Sequence, residues 1–597
     1  MKNKRIMKNK RIIITTVMTG LLAGFLSSCM DNFLDKPAHN MTPSVSLNDP
    51  IKLSSSVYSA ILTLGEGQGD AFSTMGEIAS DNALRGSILS DAGGITHNRL
   101  YNQFQNFYGI TPSSTNYIND IWTASYKGID RTNINIRALE SYFDEFMNKY
   151  KNGLIAENRV VRAFFYMMLV NTFGEVVILP EEGDITPAEY ARLTNDKSVT
   201  QLYDYIVEDL RQAVKYIPTK QEWTELYTTD WQGRAHLGTA QGLLAKALLY
   251  QAANEIYFNH DQEKADKCYE EIVEIVKAME EDYPLHNNFE EIFRRAGNYC
   301  SESLFEIGTE STSTGDTRFA GWRPSQPRSY NGYGRVAPTL NLINQYETDG
   351  STGEIIDTRY FGTVLFGVTN PLSGMKHPEN SSPFRKINGD QINGVTFNNK
   401  NLLAAGWPNR YSRKAAQEKP VGTGDTPQTN LGGCNLKLLR MGEVLLIGAE
   451  AAYYAGEEGL AVKWLNLVRH RANLKDSPST SGTALLEQIW KDKRLEIALE
   501  WSNRYYELVR IDKLYPGYMM AAMDAKVNDE FDGIEQHLNN TNGWGAINKP
   551  NFPITKENFK TMIPLCNKLE LPRNYTMPIP TTVLSDMLNV KQTQYYR

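Results

Sequence analysis

The chain predicts a mainly α-helical fold, built of helix pairs of tetratricopeptide-like shape with one loop-rich, ligand-facing segment. Three observations lead there. Apolar residues recur at helical spacing through most of the chain; small residues stand where helices would approach; and 17 of the 44 glycines fall between Gly308 and Gly433, with clustered Pro, Ser and Asn. At 597 residues, 41% hydrophobic and 22% charged, the chain can bury a large core and is not disordered by composition. Its 62 basic against 69 acidic residues give a net charge of −7, without the basic excess that nucleic-acid binding requires. Five cysteines and eight histidines show no CxxC or HxxxH spacing, which argues against a structural zinc site.

The N-terminus carries Lys2, Lys4, Arg5, Lys8, Lys10 and Arg11 with no acid, then an apolar run from Ile12 to Leu26. That run is about fifteen residues, short of the roughly twenty needed to cross a bilayer, so residues 1–28 read as a signal peptide. Leu26-Ser27-Ser28-Cys29 resembles a bacterial lipobox, which makes Cys29 the expected lipidated residue; the alternative is a buried cysteine beside an ordinary cleavage site. One acyl chain holds a protein only marginally, whereas the several chains of a bacterial lipoprotein anchor it stably. Loss of residues 1–28 takes the net charge from −7 to −13, a surface with no affinity of its own for anionic lipid. Cys268, Cys300, Cys434 and Cys566 then remain, and free thiols are expected of them.

After a polar tether over 29–40, Trp122, Tyr126, Ile129 and Asn133 share one helical face. Further helices are expected over Ala156–Phe173, Thr200–Tyr216, Ala235–Tyr257, Asp261–Met279, Leu436–Tyr454, Gly459–Ala472 and Leu485–Arg510. Ala240, Gly242, Ala245 and Ala247 would let two backbones pack closely. No strict repeat of about 34 residues aligns, so the helix pairing is an inference of shape. The expected division is a helical region over 41–300 and a second region over 301–597 that includes the loop-rich stretch 308–433, where function is to be sought first.

Ala156-Glu-Asn-Arg-Val-Val-Arg-Ala-Phe-Phe-Tyr166, followed by Leu169-Val170-Asn171-Thr172-Phe173-Gly174-Glu175-Val176, closely resembles the signature helix of SusD/RagB-family outer-membrane lipoproteins. Gly233-Arg234-Ala235 with Leu243 to Tyr250, Leu439-Arg440-Met441-Gly442-Glu443-Val444, Leu465 to Ala472, Lys493-Arg494-Leu495-Glu496 and Arg504 to Arg510 follow in the family's order. The C-terminal Gln592-Thr593-Gln594-Tyr595-Tyr596 departs from the family's Gln-Asn-Pro-Gly-Tyr-like ending. The resemblance implies a surface lipoprotein that captures a nutrient, most often an oligosaccharide, and sits as a lid on a SusC-like TonB-dependent transporter, with no chemistry or cofactor of its own. Arg159, Arg162, Glu443, Glu450, Arg469 and Arg494, charges within apolar helices, read as buried ion pairs that fix helix register and not as ligand contacts.

A pyranose presents axial C–H bonds to an aromatic face and hydroxyls to planar amides and charged groups. Phe319 to Tyr333 supplies both in one Gly- and Pro-rich loop, with Trp322, Arg323, Tyr330, Asn331 and Tyr333 as the candidate platform. Asn98 to Tyr108 is a second such stretch, offering Tyr101, Asn102, Phe104 and Tyr108, and family members bring the corresponding two regions together at the ligand. Phe104 and Phe107 could equally plug the core beneath a loop. Trp223, Tyr227 and Trp231 form a third cluster that could equally face the transporter. No GxSxG, GxxxxGK[ST] or HExxH motif occurs, and Asp349-Gly350 with Glu354 and Asp357 looks like a loose cation-binding turn without EF-hand spacing, better explained as a turn held by its own side chains. The rival readings are a surface glycoside hydrolase, a peptide-binding RagB-like protein and a helical scaffold that recruits other proteins.

Overall fold

The computed structural model describes residues 54–66, 74–85, 103–105, 107, 109–114, 116–141, 145–227, 232–308, 325, 334–366, 391–392, 395–396, 410–415, 433–500, 504–539 and 569–597. Long helices laid side by side form its frame: α1 Tyr58–Glu66, α2 Asn116–Glu140, α3 Glu145–Phe173, α4 Val199–Tyr216, α5 Leu237–Asn254, α6 Gln262–Met279, α7 Met441–Tyr454 and α8 Glu458–Arg471. From α2 to α8 each packs on the next, so the helix-pair stack expected from the apolar pattern is present. α9 Gly482–Ile497 packs on α7, while α10 Arg504–Leu514 packs on α5 and carries α11 Tyr518–Asn539.

The apolar faces explain the stack. Trp122, Tyr126, Ile129 and Asn133 of α2 are all buried, and the Trp122 ring lies 4.9 Å from Tyr126 and 5.1 Å from Phe173 of α3. Close approach needs missing side chains: a Cβ on Gly242 of α5 would stand 2.8 Å from the Leu439 side chain. Ser198 starts α4 with a capping box, its hydroxyl accepting from Gln201 N while the Gln201 side chain accepts from Ser198 N. One continuous core runs from Val57 to Val590, so residues from both ends of the chain pack together.

The charges of the signature helices that are buried in this frame are paired. Arg162 donates to Asp209 through Nε and Nη2, both at 2.7 Å, and to Asn133 Oδ1 at 2.8 Å. Glu450 of α7 holds Arg510 of α10 at 2.8 and 2.9 Å and accepts from Trp490 Nε1 at 2.8 Å. Glu443 meets Lys246 at 2.8 Å and Arg469 meets Asp492 at 3.1 Å. Each pair ties two different helices.

Three elements differ from the sequence reading. Leu436–Arg440 is a strand, β8, not the start of a helix; it pairs antiparallel with β2 Ser303–Ile307, a partner more than a hundred residues away. The helix expected over Leu485–Arg510 is two, α9 and α10, because Leu499 takes a left-handed conformation with φ 60° and its N–H donates to Glu77. The helix expected to reach Tyr257 ends at Asn254, where a π turn, Glu255–Asn259, continues it and His260 closes it at φ 55°.

Short strand pairs complete the molecule: β1 Ala83–Arg85 with β3 Val336–Pro338, β4 Val364–Phe366 with β7 Arg410–Ser412, and β5 Gln391–Ile392 with β6 Val395–Thr396, all antiparallel. Cys268 is a buried free thiol and Cys300 a half-buried one, as expected; Cys434 is buried and forms no disulfide, and Cys566 lies outside the described residues.

Candidate functional site

Antiparallel pairing of β1 and β3 sets Arg85 opposite Val336. Residue 85 is the last before the stretch that holds Tyr101 and Asn102, and β3 begins just after the stretch that ends at Tyr333. The described ends that lead into the two candidate stretches, Arg85 and Val336, are thus paired neighbours of one two-stranded ribbon. Gln105 adds a third tie, its Oε1 accepting from Arg85 N at 2.8 Å. β7 packs on β3, so the base of segment 367–409 belongs to the same junction.

Buried charge makes this junction rigid. Asp81, just ahead of β1, accepts from Arg504 at 2.7 and 2.9 Å and stands 3.1 Å from Arg494. Those guanidiniums hold its carboxyl far below the usual range even though burial opposes ionisation. Arg494 also donates to Asn82 Oδ1 at 2.9 Å and to Asn341 Oδ1 at 2.8 Å, which sews the run into β1 to the helical turn after β3. Glu530 of α11 receives Leu340 N at 2.6 Å and Arg410 Nη2 at 2.7 Å, joining β7 to that turn. Signature charges such as Arg494 hold the described ends that lead into the candidate stretches.

Trp322, Arg323, Tyr330, Asn331, Tyr333, Tyr101, Asn102 and Tyr108 lie outside the described residues, as does Cys29. Phe104 is described and is not a ligand-facing ring: it is 1% exposed within the main core, and Phe107 stacks on Tyr505 at 6.1 Å. An apolar ring in a loop gains more from burial on the helices than from exposure, so Phe104 plugs the core beneath the loop. Trp223 is likewise buried, its Nε1 donating to Ala235 O at 2.9 Å with the Arg234 guanidinium 5.1 Å above its ring; the side chains of Tyr227 and Trp231 are outside the described residues.

Asp349 does not gather a cation site. Its Oδ1 accepts from Ser351 N at 2.8 Å, the Ser351 hydroxyl at 2.5 Å and Thr352 N at 2.9 Å, and these bonds bring its carboxyl down to about 2. Asp357 is instead spent on Arg359, at 2.7 Å. Among the described residues no set of His, Cys, Asp or Glu is arranged to hold a metal ion.

A second feature was not foreseen. The ends of α3 and α5, α10 and the C-terminal segment enclose a cavity with about 700 Å³ of empty space, part of it open to solvent. Tyr257, Phe258, Tyr575 and Tyr595 stand in its wall with Lys513 and Asn254. Helical spacing placed Tyr257 on a helix, but the π turn that turns it and Phe258 into the wall has no sequence signature.

A stacked helix-pair frame bearing a charge-clamped strand junction defines the class: a mainly α-helical, helix-pair scaffold. Residues 301–596 match the model of the SusD family, and residues 32–240 match a second model described as "Starch-binding associating with outer membrane". The chain belongs to the SusD/RagB family. A "SusD-like protein" of Bacteroides ovatus is 22% identical over 580 residues, covering 92% of this chain and 93% of that protein. Among solved structures, a "Laminarin binding SusD-like protein" superposes with a TM-score of 0.62 at 21% identity, over 92% of this chain and 99% of the other. "Surface glycan-binding protein A" of Bacteroides thetaiotaomicron in complex with laminarihexaose superposes with a TM-score of 0.61 at 18% identity, again over 92% and 99%. These likenesses establish the fold.

Proposed function

We propose that the protein captures an extracellular oligosaccharide or polysaccharide at the cell surface and hands it unchanged to a SusC-like TonB-dependent transporter, held at the outer membrane by acyl chains on Cys29. The observation that carries this reading is the common origin of the two polar-aromatic loops at the β1–β3 junction, on a frame too stiff to let their bases drift. Aromatic rings and planar polar groups suit a pyranose, and Trp322, Arg323, Tyr330, Asn331 and Tyr333 with Tyr101, Asn102 and Tyr108 are its proposed contacts. No described helix is long and apolar enough to cross a membrane, and the proposed attachment is through acyl chains on Cys29. A lid over a pore raises the local concentration of cargo, and modest affinity then suffices.

Laminarin and laminarihexaose, which the names of the structural relatives carry, are the first ligands to try, followed by an array of host and plant glycans. A soluble chain beginning after Cys29 should retain a glycan and release no new products on chromatography. Changing Trp322, Tyr330 and Tyr333 together to Ala should remove that retention, since each stacked ring is worth about 0.5–1.5 kcal/mol beyond its buried area. Cleavage products would establish a hydrolase instead, and glycan retention untouched by the triple change would place recognition elsewhere.

A further inference from the structure

The cavity between α5, α10 and the C-terminus lies apart from the β1–β3 junction and shares no lining residue with it. Its aromatic wall is arranged, not incidental. Tyr257 meets Phe258 edge-on at 4.9 Å and Tyr575 edge-on at 5.9 Å. Phe258 is 49% exposed and Tyr595 44% exposed, so flat faces are left to solvent at the mouth. The π turn that presents Tyr257 and Phe258 is closed by His260 in a left-handed conformation.

Lys513 supplies the chemistry. Its ammonium lies 5.7 Å from the Tyr257 ring centroid and 5.2 Å from that of Phe258, and donates to Asn254 Oδ1 at 2.8 Å. Two of its three N–H bonds are then unspent by any described side chain. Among the described residues no carboxylate comes within ion-pair distance of it. The neighbouring Asp512 is consumed by the Tyr575 hydroxyl, Gly517 N and Met519 N. Arg510, the other cation of the lining, is neutralised by Glu450 and Glu507. Burial pushes the Lys513 amine down to about 8, which still leaves it mostly charged at neutral pH. A cation with no counter-ion, set among half-exposed rings, is a site that lacks its anion.

We propose that this cavity is a second binding site, for a carboxylate-bearing sugar: a uronate whose carboxylate pairs with Lys513 and whose C–H face lies on Phe258 and Tyr595. The choice of a sugar over another carboxylate rests on the glycan-capture reading above. The Asn171 and Gln594 amides in the same wall supply partners for ring hydroxyls.

Calorimetry with tetragalacturonate tests it on the soluble full chain, its Lys513→Met and Tyr595→Ala variants, and the triple loop variant. Met keeps the apolar stem of Lys513 and removes only the charge, and Tyr595 stands at the exposed C-terminus, so at least one of the two variants retains the fold. The expected result is binding by the parent chain and by the loop variant, weakened about tenfold or more by Lys513→Met and also weakened by Tyr595→Ala. No binding by the parent chain, or binding that the loop change abolishes and both pocket changes spare, overturns the site. Binding of a short peptide with a free carboxyl terminus in place of tetragalacturonate overturns the sugar assignment. Neutral glycans separate the two proposals: if they are retained while tetragalacturonate ignores Lys513, only this site falls, whereas if no neutral glycan is retained, it is the loop-face reading that fails.

Discussion

Glu77 sits beneath the junction with its carboxyl fully enclosed, accepting from Asn82 Nδ2 at 3.0 Å and Leu499 N at 3.1 Å. Burial outweighs these bonds and the field of Lys414, and pushes its pKa up to about 7. A carboxyl raised in the folded state binds its proton more tightly there than in the unfolded chain. Its contribution is therefore fully present below about 4.5, shrinks as pH rises and is lost above about 7. Glu77→Gln keeps an acceptor for both N–H groups and removes the charge. Denaturant melts should find this variant more stable than the parent at pH 8, with the difference gone by pH 4; equal parent and variant stabilities at both would refute the assignment. Other residues were open to a direct reading, since Arg162, Glu450, Arg469 and Arg494 stand in apolar helices and a buried charge requires a partner. Phe104 was not, because a ring in an irregular stretch has no periodicity to say which way it faces.

At the scale of elements, helical spacing located most of the expected helices, because their buried faces repeat every turn, but it started α3 at Ala156 where the helix begins at Glu145 and did not foresee α11. It failed where a distant partner decides. Leu436–Arg440 has apolar residues that suit helix or strand, and only Ser303–Ile307 resolves the choice. The α9–α10 break depends on the Leu499 N–H finding Glu77, more than four hundred residues earlier. Gly128 shows how closely α2 and α3 approach: a Cβ there would lie 2.1 Å from the Phe165 ring, itself fully buried. Gly128→Ala gains about 1 kcal/mol of helix propensity but forces overpacking worth roughly 1–3 kcal/mol at ordinary sites. With no room for the ring to retreat, the variant should be destabilised, seen as a lowered thermal midpoint; a raised midpoint would show that the helices can part.

For the whole molecule, Asp81 is the residue through which distant parts of the chain hold the β1–β3 junction. It precedes β1, and its carboxylate binds Arg494 and Arg504 from α9 and α10. Asp81→Asn leaves two buried guanidiniums without their anion, a loss of about 3–5 kcal/mol when one member of such a set is removed. Amide exchange should then rise together in residues 83–85 and 336–338, as expected of one ribbon; a rise in only one strand would mean that the loop bases are held separately. Composition, helical period and the ordered signature segments determined by themselves the helical class, the family and the pairing of the buried charges, because each is written in local spacing or in residue types that water will not leave unpaired. The pairing of Arg85 with Val336, the break at Leu499 and the aromatic cavity around Lys513 were decided only by the tertiary structure. Each depends on which distant backbone supplies a hydrogen bond or a wall, and no local pattern in the chain records that choice.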